Sequence, residues 1–214
     1  MAVGITVVRH GETGDNVLEI CTGQTRNPDL TDKGCQQAEH RGQALLAGGR
    51  KFAAIYASPL LRSRRTASIV GKILGLFPVV ILDGLKERFV GSAFETSRGV
   101  HMEVIFELVA EELRWLKTQS LEVVLDYHFK ATPDAKTIRE AAVRFKQALC
   151  EIASRHQDGQ KVLVVAHSAV MGSTLIEMGL MDPAFDENPF GSAIIPNLGM
   201  MEFHVNKRAV TYIG

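Results

Sequence analysis

A histidine flanked by an arginine and a glycine follows the first apolar run of the chain. The run Ile5-Thr6-Val7-Val8 is short and β-branched, which predicts a buried parallel strand, and Arg9, His10 and Gly11 come directly after it. Ligands of open α/β sheets bind beyond the carboxyl ends of such strands. A neutral imidazole can attack phosphorus, a guanidinium can hold two anionic oxygens, and a glycine permits close backbone approach. The segment favours phosphate chemistry over a structural loop histidine.

A second histidine occupies the same kind of position. The most apolar run of the chain, 161–166, ends at His167, so two predicted strands each deliver a histidine at their carboxyl ends. If the two strands are neighbours, His10 and His167 meet over one crevice. Either histidine alone is more often structural than catalytic, but the repetition is hard to assign to coincidence.

The elements that must position these histidines alternate along the chain. Strands are predicted at 5–8, 52–57, 79–82 and 161–166, closing strands at 194–195, 200–203 and 210–213, and helices at about 31–48, 60–74, 137–156 and 170–178. Strands that alternate with helices imply βαβ units. We therefore expect an α/β fold, a three-layer α/β/α sandwich with a mainly parallel sheet.

Residues 96–136 interrupt this alternation. Apolar residues recur at helical spacing between 104 and 116, which predicts one amphipathic helix, and a shorter piece follows around 121–129. We expect one domain over 1–214, with 96–136 as a helical insertion that forms a lid over the active site. The apolar stripe is expected to serve core packing rather than partner binding.

Charge and cysteine usage exclude several classes of protein. The 24 Lys and Arg residues balance 24 Asp and Glu residues, so no overall basic field points to nucleic acid or an anionic membrane. Cys21, Cys35 and Cys150 form no CxxC pair, which argues against a disulfide framework and a zinc site. The first apolar run is too short for a secretion signal, and no later stretch approaches bilayer length. We expect a cytoplasmic protein with no metal.

The sequence closely resembles the histidine phosphatase superfamily, also called the phosphoglycerate mutase-like family. The matching residues keep the family's order and spacing over most of the chain: Arg9-His10-Gly11-Glu12-Thr13 with Asn16, Gly23, Asp29 to Gly34 with Gln37-Ala38, Ser58-Pro59-Leu60 with Arg62, Leu85 with Glu87 and Gly91, Val164 to His167, and Pro196-Asn197.

The resemblance implies a role for each of five residues. His10 is the nucleophile that becomes phosphorylated, while Arg9, Arg62 and His167 hold the phosphoryl group. Preset positive charge is what phosphoryl transfer needs, because charge spreads over three equatorial oxygens. Glu87 is the general acid, and its carboxylate then takes a proton from the attacking water. On the residues alone, Glu87 would be interpreted as a solvated charge, whereas an exposed helix arginine is disfavoured for Arg62 because Ser58-Pro59 places the first turn of its helix at the carboxyl end of a strand.

Further residues are candidates for the substrate pocket: Asn16, Thr22, Gly23, Arg65 and Ser168. Asn16 could donate its amide to the phosphate or cap the following turn. Arg65, one helical turn from Arg62, could favour a second anionic group or lie in solvent. Ser168 stands where the family usually has glycine, so we expect a reshaped pocket.

Two more carboxylates need an assignment. Glu95 is the alternative acid if the register of the loop differs, and it lies in Phe94-Glu95-Thr96, where relatives often show Trp-Glu-Gly. Glu12 is expected to orient a neighbouring histidine or arginine.

The predicted function is hydrolysis of a phosphomonoester through a phosphohistidine at His10, without a cofactor. The expected partner is a phosphorylated small molecule, and a homodimer is left open. One alternative is a phosphoglycerate mutase that requires 2,3-bisphosphoglycerate. The sequence at 85–88 resembles that of the mutases. Another is a phospholigand-binding module with vestigial activity, suggested by Ser168 and the altered loop near Phe94.

Overall fold

A mixed β-sheet forms the centre of the fold. The computed structural model describes residues 2–185, 188, 191, 195–206 and 209–214. Within these residues the strands are β1 (Val3–Arg9), β2 (Ala54–Ala57), β3 (Val80–Ile81), β4 (Lys161–Ala166), β5 (Met200–Val205) and β6 (Val210–Tyr212). Their order is β3-β2-β4-β1-β5-β6. Strands β1 to β4 pair in parallel, β5 pairs antiparallel with β1, and β6 pairs antiparallel with β5.

Helices cover both faces of this sheet. They are α1 (Gly14–Val17), α2 (Asp32–Ala47), α3 (Leu61–Leu74), α4 (Met102–Leu108), α5 (Ala110–Leu116), α6 (Leu121–Leu125), α7 (Ile138–Ser154) and α8 (Ser168–Glu177), with a 3-10 helix at Asp83–Leu85. Successive strand residues point to opposite faces, so Val164 packs in one cluster with α7 and α8, and Val165 packs in another with α2 and α3. The predicted three-layer sandwich with a mainly parallel sheet is confirmed.

The pairing of β1 with β4 positions the two histidines. The register places Arg9 opposite Ala166, so β1 and β4 end at the same position along the sheet. The backbone N–H of His10 then donates to the carbonyl of Ala166 at 3.1 Å, which extends the ladder by one bond. His10 and His167 therefore emerge side by side at the carboxyl edge of the sheet.

Capping residues start the long helices where the sequence predicts. The Thr31 side chain accepts from the N–H of Gly34 at 3.0 Å at the start of α2. At the start of α7, Thr137 and Glu140 form a reciprocal capping box. Helix α3 ends at Gly75, whose φ of 68° is left-handed and suits glycine.

Two short helices, α4 and α5, take the place of the single amphipathic helix predicted around 104–116, and α6 lies within the shorter piece predicted around 121–129. Helices α4 and α5 are separated at Val109, where φ is −108° and ψ is 10°. Their apolar side chains share a third hydrophobic cluster with α6, centred on residues such as Ile105 and Leu116. Helical spacing survives a one-residue break, which is why the sequence pattern does not reveal it.

Over the described residues, the predicted strand at 194–195 is not found. Ile194 lies outside the described residues, and Ile195 belongs to no strand because its backbone N–H and carbonyl both bond to the Ser168 side chain, at 2.8 and 3.2 Å. Over the described part of the chain, no helix combines the length and the apolar character needed to cross a bilayer.

Candidate active site

Two buried histidines lie in contact at the carboxyl edge of the sheet. Their ring centroids are 5.2 Å apart, and the rings are tilted by 60°. His10 is 3% exposed and lines a cavity of about 450 Å³, while His167 is fully buried and does not itself line it. The convergence predicted from two separate strands is therefore present.

The hydrogen bonds of His10 define its tautomer. Its Nδ1 lies 2.7 Å from the carbonyl oxygen of Gly11, which can only accept, so Nδ1 carries the proton. Its Nε2 lies 3.2 Å from Nε of Arg62, which can only donate, so Nε2 presents a lone pair. Nε2, beside Arg62, is thus the nitrogen with the nucleophilic lone pair.

The surroundings keep both rings neutral. The pKa of His10 is lowered well below its ordinary value, mainly by burial and then by the charges of Arg62 and Arg9. The pKa of His167 is lowered in the same way, mainly by burial and then by Arg62 and His10. A neutral imidazole is the form that can attack phosphorus.

Arg62 is held beside His10 by the loop that follows α1. Its Nη2 donates to the carbonyl of Gly23 at 2.8 Å, and its side chain is 2% exposed. Burial lowers the pKa of Arg62 to about 10, so the group remains a cation at neutral pH. The alternative interpretation as an exposed helix arginine is wrong, because the start of α3 faces the carboxyl ends of the strands.

Several buried polar atoms near the histidines lack a protein partner within the described residues. They are Nε of Arg9 and both ring nitrogens of His167. Leaving such a group unpaired costs about 1–3 kcal/mol, so a cluster of three indicates a polar ligand. Because arginine only donates, that ligand has to accept hydrogen bonds, as phosphoryl oxygens do.

Glu87 lies on the same cavity, 9% exposed. Its carboxylate accepts from three backbone N–H groups, those of Arg88 at 2.8 Å, Ala169 at 3.1 Å and Val170 at 2.7 Å. The last two belong to the first turn of α8, where the helix dipole favours an anion. Arg144 fixes the loop that carries Glu87 by donating to its carbonyl at 3.0 Å. Glu87 is therefore placed within the site and is not a solvated charge.

Four of the five predicted pocket residues line the cavity: Asn16, Thr22, Gly23 and Ser168. Asn16 has a capping role, because it is the third residue of α1 and its Oδ1 accepts from the N–H of Thr13 at 3.2 Å and from Nδ2 of Asn197 at 3.3 Å, whereas donation of its amide to a phosphate stays a prediction. Arg65 does not belong to this group. It is exposed and absent from the cavity lining, because it lies one turn further along α3 than Arg62 and about 60° around the helix from it, on the solvent side.

The other two carboxylates have structural contacts. Glu95 is 3% exposed, and its Oε2 accepts from the N–H of Gln24 at 2.7 Å and from both the N–H and the hydroxyl of Thr25 at 3.0 and 3.1 Å. It does not line the cavity. Glu12 bonds to Thr31 and Lys33, so the expectation that it orients a histidine or arginine is wrong.

The close approach that Gly11 permits is between two segments of the protein's own backbone. A Cβ built on Gly11 would lie 2.5 Å from the carbonyl oxygen of Gly34 in α2. The glycine therefore lets α2 pack against the loop that carries His10.

The sequence analysis missed residues that reach the cavity from distant segments. Asn197 donates from Nδ2 to the carbonyl of His10 at 3.0 Å. Asp15 forms a two-pronged ion pair with Arg26, at 2.6 and 2.7 Å, which lowers the pKa of Asp15. The family match at 196–197 was the available signal for Asn197, whereas nothing in the sequence marks the pairing of Asp15. In the described residues no cluster of three or more His, Cys, Asp or Glu suits a metal ion.

Comparison with known proteins decides the family. The profile of the histidine phosphatase superfamily (branch 1) matches residues 5–198 of the chain. The chain belongs to the histidine phosphatase superfamily. The predicted resemblance is thereby confirmed, and the matched segment includes both histidines, Arg62 and Glu87.

Relatives in this superfamily include phosphatases and mutases. The uncharacterized phosphatase PhoE of Bacillus subtilis (strain 168) is 30% identical over 200 residues, covering 92% of this chain and 89% of its own length. A 2,3-bisphosphoglycerate-dependent phosphoglycerate mutase of Rhizobium meliloti (strain 1021) is 28% identical over 179 residues, covering 82% and 79%. The crystal structure of phosphoglycerate mutase from Bacillus anthracis str. Sterne shares the fold, with a TM-score of 0.79, 22% identity, and coverage of 100% of this chain and 92% of its own.

Proposed function

We propose that the protein hydrolyses phosphomonoesters through a phosphohistidine at His10. The observation that carries the proposal is the environment of His10 Nε2, a buried lone pair next to the Arg62 guanidinium at 3.2 Å. Membership of the histidine phosphatase superfamily supports the same chemistry. The substrate is a phosphorylated small molecule.

In the first step, the Nε2 lone pair of His10 forms a bond to phosphorus. The bond between phosphorus and the ester oxygen breaks, and its electron pair stays on that oxygen. The carboxylic acid form of Glu87 gives this oxygen a proton, so that a neutral alcohol leaves. Arg9, Arg62 and His167 stabilise the charge on the three equatorial oxygens. The Nδ1–H of His10 keeps its bond to the Gly11 carbonyl and disperses the positive charge of the ring.

In the second step, water attacks phosphorus from the side that the alcohol has left. The Glu87 carboxylate takes a proton from this water, and the electron pair of the N–P bond returns to His10 Nε2. The products are inorganic phosphate and the starting enzyme, so the cycle is closed without a cofactor.

A phosphoglycerate mutase is the second candidate, favoured by the mutases among the relatives. In that case the phosphohistidine returns its phosphoryl group to a hydroxyl of the substrate, and 2,3-bisphosphoglycerate primes the enzyme. The same five residues would serve both reactions, and the difference lies in whether water or an alcohol reaches phosphorus.

One assay separates these functions. The protein and its His10→Ala variant are incubated with p-nitrophenyl phosphate, and separately with 3-phosphoglycerate plus catalytic 2,3-bisphosphoglycerate. Phosphate release that disappears in the variant is the expected result. Formation of 2-phosphoglycerate without phosphate release would establish the mutase, and binding of these phosphates without turnover would leave only a binding module.

A further inference from the structure

One wall of the active-site cavity is apolar. The larger apolar side chains among the described lining residues are those of Ile20, Val90, Met102 and Phe106. Ile20, Met102 and Phe106 are only partly buried, so apolar surface remains open on a cavity that His10 also lines. Apolar surface beside a few placed polar groups is typical of small-molecule sites.

Backbone pairing builds this wall. The N–H of Met102 donates to the carbonyl of Glu19 at 2.9 Å, and the N–H of Cys21 donates to the carbonyl of Val100 at 2.9 Å. These bonds fix the first turn of α4 against the segment that follows α1. Met102 and Phe106 are four residues apart on α4 and thus lie on one face, towards the cavity. The apolar wall is a fixed part of the site.

The charges around the wall disfavour a second anion. The described cations of the cavity are Arg9, Arg62 and Arg88, and the first two lie beside His10. Arg88 donates from Nε to the carbonyl of Lys136 at 2.7 Å. Two carboxylates also line the cavity: Asp15 is paired with Arg26, and Glu19 directly precedes Ile20 in the chain. A carboxylate on the substrate beside the apolar side chains would meet the like charge of Glu19.

We infer that the leaving group of the natural substrate is an apolar or aromatic alcohol that packs against Ile20, Met102 and Phe106. This inference rests on the proposed phosphatase function and adds the class of substrate to it. Phosphate esters of bulky uncharged alcohols suit this apolar surface, whereas phosphoserine and 3-phosphoglycerate would each bring a carboxylate to it, next to Glu19.

The test compares 1-naphthyl phosphate with phosphoserine and 3-phosphoglycerate. We expect kcat/KM of the unmodified protein to be highest for 1-naphthyl phosphate. The variant Phe106→Ala should lose about tenfold or more in kcat/KM for 1-naphthyl phosphate, since lost apolar contact is worth about 10- to 200-fold per group, and should change little for phosphoserine. Trp115→Ala is the matched control, because Trp115 belongs to the same helical segment but does not line this cavity.

A binding measurement tests the apolar subsite separately from the phosphatase function. Calorimetry with the His10→Ala variant, which cannot form a phosphohistidine, should give tighter binding of 1-naphthyl phosphate than of phosphoserine, and Phe106→Ala should remove the difference. If the unmodified protein shows this binding preference but hydrolyses neither ester, the proposed phosphatase function is contradicted and the apolar subsite is not. Equal affinity for both esters, or an equal loss for both in Phe106→Ala, would overturn the apolar subsite.

Discussion

His10 owes its reactivity to its neighbours. The Gly11 carbonyl fixes the proton on Nδ1, and burial with the charges of Arg62 and Arg9 lowers the pKa of the ring. The result is a lone pair on Nε2 over a wide pH range, directed towards the guanidinium that would hold the phosphoryl oxygens.

Replacing Arg62 tests this arrangement. In Arg62→Gln, kcat should fall by about 10²- to 10³-fold, the usual effect of removing one donor to a developing charge. The pKa of His10 should rise at the same time, because one of the cations that lowers it is gone, so the acid limb of kcat/KM moves to higher pH. Arg65→Gln, on the exposed side of the same helix, is the control. Equal activity and equal pH profiles in both variants would contradict the role of Arg62.

At the scale of elements, the strands and their histidines could be predicted because the signal is local. A β-branched run followed by His10, and another followed by His167, needs no knowledge of the rest of the chain. The choice between Glu87 and Glu95 could not be made in this way. It depends on donors from other segments, those of Ala169 and Val170 for Glu87 and those of residues 24–25 for Glu95.

The lining of the cavity was hidden for a similar reason. Met102 and Phe106 look like ordinary members of an amphipathic helix, and only the pairing of residues 19–21 with 100–102 turns them towards the site. That pairing is non-local, and no motif marks it. Helix α4 contributes to the wall of the cavity. That residues 96–136 act as a lid over the site stays a prediction.

Glu95 should support two elements of the site without taking part in the chemistry. Its carboxylate holds the loop in which Gly23 binds Arg62 and Gln24 binds the carbonyl of Glu87, at 2.8 and 2.6 Å. Its Oε1 also accepts from the N–H of Val90 at 2.8 Å, and in Glu95→Gln an amide cannot accept at both oxygen positions, so we expect a loss of about 1–3 kcal/mol in the free energy of unfolding. Activity should fall by up to about 10²-fold through misplacement, and the shape of the pH profile should be kept.

Two other variants serve as comparisons for Glu95→Gln. Glu103→Gln, exposed on α4, is the control for stability. Glu87→Gln should instead slow the hydrolysis of alkyl phosphates much more than that of activated aryl phosphates, because only the alkyl alcohol needs a proton to leave. If Glu95→Gln shows this dependence on the leaving group and Glu87→Gln does not, the assignment of the acid is wrong.

At the scale of the whole molecule, the sandwich buries two histidines that stay neutral. Their folded-state pKa values lie below those of the unfolded chain, so the unfolded state binds more protons in acid. The stability that this contributes is fully present above about pH 6.5, the unfolded value, and is lost as the pH falls towards the folded values. Asp15, whose pKa is lowered by Arg26, acts in the same direction at lower pH.

Urea denaturation at several pH values measures the effect. Between about pH 6.5 and about pH 5.5, the free energy of unfolding should fall by up to about 1.4 kcal/mol for each buried histidine. The slope should be smaller in His10→Ala and unchanged in His40→Gln, which alters an exposed histidine. A free energy of unfolding that is constant over this interval would show that the rings are not buried and neutral.

The most direct test of the account is to trap the phosphorylated enzyme. The protein is mixed with an aryl phosphate, quenched under alkaline conditions that preserve phosphohistidine, digested and analysed by tandem mass spectrometry, with 31P NMR to identify the nitrogen. The account predicts one phosphoryl group on Nε2 of His10, absent in His10→Ala and accumulating in Glu87→Gln when an activated leaving group needs no proton. Turnover with the label on another residue, or with no covalent phosphoryl group at any time, would contradict it.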